Sequence, residues 1–299
     1  MQLNTIILGN CIDVLKTIPD NSVDLAFADP SFNLNKKYSM CQDKRDADEY
    51  LTWCYQWLDE MVRITKETGS IMVHNIPRWL TYYSVHLNEK AEFKHWISWN
   101  ALGGLLGKTL LPSHYGILYY VKSKTKYKFY DIRIPHVMCR KCNEFYKDYG
   151  GKKDTIHPYG TIANDVWTDI YRIKHNNRRD EHPCQLPEPL LERLILMTTD
   201  EGDVVLDPFM GTGTTAIAAK RMGRNYIGID MDEKYVKIAE SKLKHIRLST
   251  INGCFVSVFL DKVVTIRDKD FLLLKDSLKC DGNRVIIKPN AGQTTLSFE

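Results

Sequence analysis

Short apolar runs punctuate the chain, and most are followed by a stretch with helical spacing. The runs are "NTIILG" (4–9), "VDLAFA" (23–28), "SIMVHN" (70–75), "KHWISWN" (94–100), "YGILYYVKS" (115–123), "DVVLDP" (203–208) and "NYIGID" (225–230). Each is short and rich in β-branched or aromatic residues, as a strand buried on both faces requires. Between them, residues 46–67 carry Leu51, Tyr55, Leu58 and Val62 at spacings of four, three and four, which predicts an amphipathic helix. Further helices are predicted over 186–199, 213–222 and 232–246. Strands alternating with helices imply an α/β fold: a doubly wound, mostly parallel, seven-stranded sheet of Rossmann-like type, covered on both faces.

Residues 124–181 break this rhythm. They are rich in Lys, Arg, Tyr, Asn and Gly, without a period of either kind, and read as an irregular insertion. After residue 248, "CFVSVFL" (254–260), "KVVTI" (262–266), "DFLLL" (270–274) and "RVIIK" (284–288) suggest short strands. The expected organisation is therefore 1–123 and 182–248 as two halves of one α/β domain, 124–181 as an insertion, and 249–299 as a small β appendage.

Charge sharpens this division. Residues 124–181 hold 13 Lys/Arg against 8 Asp/Glu, an excess of five on a chain whose net charge is +4, so the insertion accounts for the whole positive balance and invites a polyanionic partner. No apolar run approaches the roughly 18 residues that cross a bilayer, and the first residues lack a signal-peptide pattern, so a cytoplasmic protein without a membrane is expected. The eight cysteines are then expected to be reduced thiols. His136, Cys139 and Cys142 have knuckle-like spacing, with His157 as a conceivable fourth ligand; a second Cys-x-x-Cys is missing, and packed thiols with no metal are the expectation.

Two turns carry chemistry. In "DLAFADPSFNLNKKY" (24–38), a carboxylate, Asp29, and an aromatic ring, Phe32, follow directly on an apolar strand. A carboxylate there requires a hydrogen-bonding or charged partner, so the turn either caps a helix or faces a ligand. In "DVVLDPFMGTGTT" (203–215), a strand ends at Asp207, and Gly211 and Gly213 allow the backbone close to a ligand before a helix begins near Thr214. Position 216 is Ala, so the dinucleotide pattern Gly-x-Gly-x-x-Gly is incomplete. A carboxylate with hydroxyls suits a ligand bearing a cationic amino group better than a pyrophosphate. The next strand ends in Asp230, 23 residues beyond Asp207, where ribose hydroxyls can be bound.

"DPFMGTGTT" followed by "YIGID", with "FADPSFNL" far upstream, resembles the amino-group DNA methyltransferases that use S-adenosyl-L-methionine. The catalytic turn precedes the cofactor turn, as in the permuted beta class. "GNCIDVLKTIPDNSVDLAFADP" (9–30), "HYGILYYVKS" (114–123), "DVWTDI" (165–170) and "HPCQLPEPLLERLI" (182–195) agree in type and order, so the resemblance spans about residues 3–246.

The resemblance implies that Asp29 and the carbonyl of Pro30 accept the hydrogens of an exocyclic amine, with Ser31 and Phe32 completing the tetrad and Phe32 stacking on a base swung out of the duplex. It implies cofactor contacts from Asn10, Cys11, Asp29, His182, Gln185, Asp207, Pro208, Phe209, Gly211, Thr212, Gly213, Thr214 and Asp230. Lys36, Lys37, Arg140, Lys141, Lys152, Lys153, Arg178 and Arg179 are the expected contacts to double-stranded DNA. Two positions depart from the family pattern: Ser31 stands where a second proline is usual, and Leu186 where lysine is frequent. The implied activity is site-specific adenine-N6 methylation in a bacterial, nucleoid-associated restriction-modification setting, with a cognate restriction endonuclease and a homodimer as associated expectations. Cytosine-N4 methylation and a catalytically weakened DNA-binding relative stay open as alternatives.

Overall fold

The computed structural model describes residues 1–35, 43–101, 110, 112–136, 150, 155–173, 185–260, 262–281 and 284–288. Its main sheet contains all seven of the anticipated strands: β1 (Thr5–Leu8), β2 (Val23–Ala28), β3 (Thr65–Asn75), β4 (Glu92–Asn100), β5 (His114–Val121), β9 (Val204–Asp207) and β10 (Asn225–Asp230). Within the insertion, β6 (Ile132–Pro135) and β7 (Gly160–Ile162) precede β8 (Val166–Trp167), which adds an eighth strand by pairing in parallel with β4. The order across the sheet is β1-β10-β9-β2-β3-β5-β4-β8. β5 runs antiparallel to both of its neighbours, and the remaining pairings are parallel.

Alternation along the strands divides the core in two. Ile71, Val73, Ala26, Leu206 and Ile229 face one layer, formed by α1 (Cys11–Leu15), α2 (Ala47–Ile64) and α3 (Pro77–Asn88). Met72, Phe27, Val205 and Ile117 face the other, formed by α4 (Glu188–Thr198), α5 (Thr214–Arg221) and α6 (Glu233–Leu243). α2 begins at Asp46, whose carboxylate caps the helix by accepting from the Asp48 amide, and it buries Tyr50, Cys54, Trp57, Leu58 and Met61 at helical spacing. Full burial of each large side chain contributes roughly 1.5–3 kcal/mol. α3 was not anticipated. Pro77 at its first turn pre-sets the helical φ, and Trp79, Leu80, Tyr83 and Leu87 supply its buried stripe.

The C-terminal residues form a second sheet, in which β11 (Thr250–Ile251), β12 (Cys254–Phe259), β13 (Lys262–Arg267), β15 (Arg284–Ile287) and β14 (Leu278–Asp281) lie in that order. The segment 270–274, expected as a strand, instead forms the short helix α7 (Phe271–Leu274) after a 3-10 turn, with Leu274 buried. Nor is the insertion irregular throughout. β6 pairs with β13 through Ile266–Arg133 and Arg267–Ile132, and β7 pairs with β6, so insertion and tail share one sheet. The two sheets are joined at Arg193 of α4, which is fully buried. Its guanidinium bonds the Asp169 carboxylate twice and the Thr265 hydroxyl at 2.9 Å, and lies 4.9 Å from the Trp167 ring. Neighbouring Glu192 accepts from Ser257 at 2.6 Å, and burial raises its carboxyl to about 7. Among the described residues, no helix is long and apolar enough to cross a membrane.

Candidate active site

The two acidic turns leave the sheet side by side. β2 and β9 are parallel neighbours, with Leu25 opposite Val205 and Ala26 opposite Leu206, so Asp29 and Asp207 emerge at the same carboxyl edge. β10 and β1 continue that edge: Gly228 is opposite Asp207, and Leu8 is opposite Asp230. One helix face contacts both turns. From α2, Tyr50 donates to the Ser31 carbonyl, while Trp53 and Trp57 place their rings 5.5 and 5.2 Å from Phe209 in the glycine loop.

Asp207 is almost wholly buried. Oδ1 accepts from the Phe209 amide at 2.9 Å and Oδ2 from the Thr215 hydroxyl, so the carboxylate folds its own loop while each oxygen keeps a second lone pair. Burial pushes the carboxyl up to about 7; the two hydrogen bonds oppose this, and the charges of Asp29 and Asp230 add to it. Asp230 ties the glycine loop to β10, accepting from the Gly211 amide and the Asp232 amide, each at 2.8 Å. Its carboxyl is also raised, first by burial, with those amides pulling it down. Gly211 and Gly213 have φ of 54° and 91°. At Gly213, which precedes α5, a Cβ would fall 2.7 Å from the Ala239 Cβ, so both the conformation and the space select glycine.

Asn10 caps α1, its side chain accepting from Ile12 at 2.9 Å, and the preceding Gly9 amide donates to the Asp230 carbonyl. This places Asn10 and Cys11 beside Asp230. Cys11 is buried, and its thiol is raised to about 12 by loss of solvent, which makes it an unreactive wall. Leu186 is buried in the core on the α4 side, which accounts for an apolar residue at that position.

In the Asp29 turn, Pro30 and Phe32 are buried, and Asp29 is partly exposed. Ser31 lacks the rigidity of a second proline, but three side chains hold its neighbourhood. Tyr50 bonds the Ser31 carbonyl, the Trp79 indole donates to the Phe32 carbonyl at 2.7 Å, and Tyr83 supports Tyr50 at 2.9 Å. Beyond Phe32, Asn33 and Asn35 adopt φ of 53° and 59°. The Asn33 side chain both accepts from the Arg45 amide (2.8 Å) and donates to its carbonyl (3.0 Å), while Asn35 donates to the Asp43 carbonyl, so residues 33–35 are stapled to 43–45.

The family described as DNA methylase (N6_N4_Mtase) matches residues 23–241, which takes in both turns and most of the main sheet. The chain belongs to the DNA methylase family. Among curated DNA methylases it is 38% identical to the type II methyltransferase M.BamHI of Bacillus amyloliquefaciens, over 97% of this chain and 71% of that protein. It is 34% identical to M.HpaI of Haemophilus parainfluenzae, over 80% of this chain and 73% of the relative. To the DNA adenine methyltransferase YhdJ of Escherichia coli it is 31% identical, over 81% of this chain and 83% of that one. Its fold is that of the PvuII cytosine-N4-specific DNA methyltransferase, with a TM-score of 0.59 at 16% identity over 80% of this chain and 86% of the other. The M1.HpyAVI–SAM complex is similar at a TM-score of 0.51 and 22% identity, over 80% and 98% of the respective chains.

Of the residues anticipated for this DNA methylase, the structure gathers Asn10, Cys11, Asp29–Phe32, Asp207, Pro208, Phe209, Gly211–Thr214 and Asp230 at one edge of the sheet. Gln185 lies just ahead of α4. His182 and all eight expected DNA-contacting cations, from Lys36 to Arg179, lie outside the described residues, as do Cys139 and Cys142. Among the described residues no group of three or more His, Cys, Asp or Glu is placed to hold a metal, and the His136 ring bonds the His157 carbonyl at 2.9 Å. Sequence reasoning did not single out Tyr50, Trp79, His74, Trp99 or Tyr115, all of which surround the Asp29 turn.

Proposed function

We propose that this chain transfers a methyl group from S-adenosyl-L-methionine to an exocyclic amine of a base in duplex DNA, adenine N6 being the favoured acceptor. The observation that carries the reading is the shared carboxyl edge of β2 and β9, bridged by α2, which brings the Asp29 turn and the Asp207 loop together. The glycine loop suits this cofactor chemically. Two acids, the buried Asp207 and the half-buried Asp230, repel a pyrophosphate but attract a cationic amino group and accept from ribose hydroxyls, and the positive-φ glycines allow a close approach. Asp207, Phe209–Thr214, Asp230 and Asn10 would hold it, with Cys11 as an apolar wall. When bound, the cofactor supplies an electrophilic methyl on a sulfonium.

The residues of this chain do the rest. An exocyclic amine is a poor nucleophile because its lone pair is delocalised into the ring. Asp29 and the Pro30 carbonyl, accepting its two hydrogens, favour the geometry in which that lone pair is free and stabilise the positive charge that grows on nitrogen. Phe32 supplies the stacking face for the extruded base. Lys36, Lys37, Arg140, Lys141, Lys152, Lys153, Arg178 and Arg179 are proposed to neutralise phosphates and read base edges.

The acceptor pair serves adenine N6 and cytosine N4 alike. Adenine is favoured by the similarity to the DNA adenine methyltransferase YhdJ, which is 31% identical. Nucleoside mass spectrometry of duplex DNA incubated with protein and labelled cofactor decides the matter. N6-methyladenine is expected; N4-methylcytosine alone corrects the base while keeping the chemistry, and no labelled nucleoside overturns the enzymatic reading.

A further inference from the structure

His74, the penultimate residue of β3, is 2% exposed, and its Nδ1 lies 2.7 Å from Asp29 Oδ1. An ionised carboxylate only accepts, so the imidazole must donate from Nδ1. In the neutral ring that leaves Nε2 as a bare acceptor; this atom is buried and has no hydrogen-bond partner among the described residues. A histidine present only for packing has no reason to bury an unmet nitrogen, since an apolar side chain of similar size would avoid the penalty. The ring is also fixed by aromatic contacts, with centroids 5.6 Å from Phe32, 5.3 Å from Tyr115 and 5.7 Å from Trp99. Trp99 is itself anchored by its indole donating to the Ile170 carbonyl at 2.7 Å.

These contacts join the proposed stacking face, Phe32, to the proposed acceptor, Asp29, through one rigid imidazole. We infer that His74 is a positioning residue for methyl transfer: its Nδ1–H engages Asp29 Oδ1, fixes the carboxylate plane and presents Oδ2 to the amine. The inference rests on the reading of Asp29 as an acceptor for the amino hydrogens. His74 acts through Asp29, and β2, which leads into Asp29, lies between β3 and β9, the strand that leads into the glycine loop. Its loss should therefore lower turnover without weakening cofactor binding. Near-attack geometry is steep enough that freeing Asp29 should lower kcat about 100-fold.

The test uses the full chain with three changes: His74→Leu, which removes the donor; His74→Asn, whose amide nitrogen can occupy the place of Nδ1; and Asp29→Ala. Single-turnover transfer to unmodified duplex DNA, calorimetric titration with S-adenosyl-L-methionine and thermal melts are measured on each. His74→Leu should lose about 100-fold in turnover with cofactor Kd within about threefold of the parent, and His74→Asn should recover most of the loss. The inference fails if folded His74→Leu turns over within about threefold of the parent, if its cofactor affinity falls in step with its rate, or if folded His74→Asn is no better than Leu. Nitrogen-15 NMR of the labelled histidines gives a readout independent of activity. An Nδ1-protonated ring that responds to Asp29→Ala is expected, and a neutral Nε2-protonated ring contradicts the geometry. If Asp29→Ala itself keeps full turnover, the acceptor reading falls and takes this inference with it. If Asp29→Ala is dead while His74→Leu is active, only the role of His74 is refuted.

Discussion

Replacing Asp207 with Asn should stabilise the protein, and more so at high pH. The native carboxyl titrates near 7 because it is buried, against an ordinary value of 3.8, so in the folded state the ionised form is disfavoured. Below 3.8 both folded and unfolded chains carry the proton and there is no penalty. Between 3.8 and 7 the unfolded chain ionises while the native one does not, and the penalty grows with pH until it levels off above 7. A displacement of about three pH units corresponds to roughly 4 kcal/mol at pH 8 and about 2 kcal/mol at pH 5. Asn keeps an acceptor for the Phe209 amide and a donor for the Thr215 hydroxyl, so it removes the charge without emptying the loop. For a chain of 299 residues those energies correspond to a gain in Tm of about 6 °C at pH 8 and about 3 °C at pH 5. Differential scanning fluorimetry across that range reads the difference directly. A variant less stable than the parent at pH 8, or a difference that does not change with pH, refutes the assignment of a strained buried carboxylate. The same variant should bind S-adenosyl-L-methionine at least about tenfold more weakly at pH 8, since the negative charge proposed to meet its amino group is gone.

Other perturbations probe separate parts of the structure. Gly213→Ala forces a Cβ onto Ala239 at a φ of 91°, so it should destabilise by about 2–4 kcal/mol and abolish calorimetric cofactor binding. Tyr50→Phe removes the hydroxyl that bonds the Ser31 carbonyl and accepts from Tyr83, and single-turnover kinetics should show kcat lower by about tenfold with cofactor Kd unchanged. Arg193→Met leaves Thr265 and Asp169 without their shared partner where the two sheets meet; chemical denaturation should register a loss of about 3–5 kcal/mol.

The seven main strands were legible because each is a short β-branched or aromatic run closed by a turn residue, and Asp207, Gly211, Gly213 and Asp230 were legible because their spacing follows from a strand, a tight loop and the neighbouring strand. α3 was missed because its stripe is carried by Trp79, Leu80 and Tyr83, aromatic-rich positions that read equally well as strand, directly after "SIMVHN". α7 was misread because "DFLLL" has no period, and four consecutive residues are too few to reveal one. The joining of insertion and tail into one sheet depends on Ile132 and Arg133 meeting Ile266 and Arg267, a pairing across more than 130 positions that no local pattern announces. Tyr50, Trp79 and His74 were missed for the same reason: each looks like core locally, and only folding brings it to the Asp29 turn. The one available signal was the alternation in β3, which puts His74 on the same face as Met72 and so inside the core.

A crystal structure of the ternary complex with duplex DNA and a non-transferring cofactor analogue places every element of the mechanism in one measurement: the separation between the target exocyclic nitrogen, Asp29 and the site of the methyl group. The base should stand outside the helix against Phe32, with its amine within about 3 Å of an Asp29 oxygen and about 3–3.5 Å from the methyl position. A base still stacked in the duplex, or an amine held by other residues with Asp29 turned away from it, contradicts the proposal that these two acidic turns form one catalytic centre.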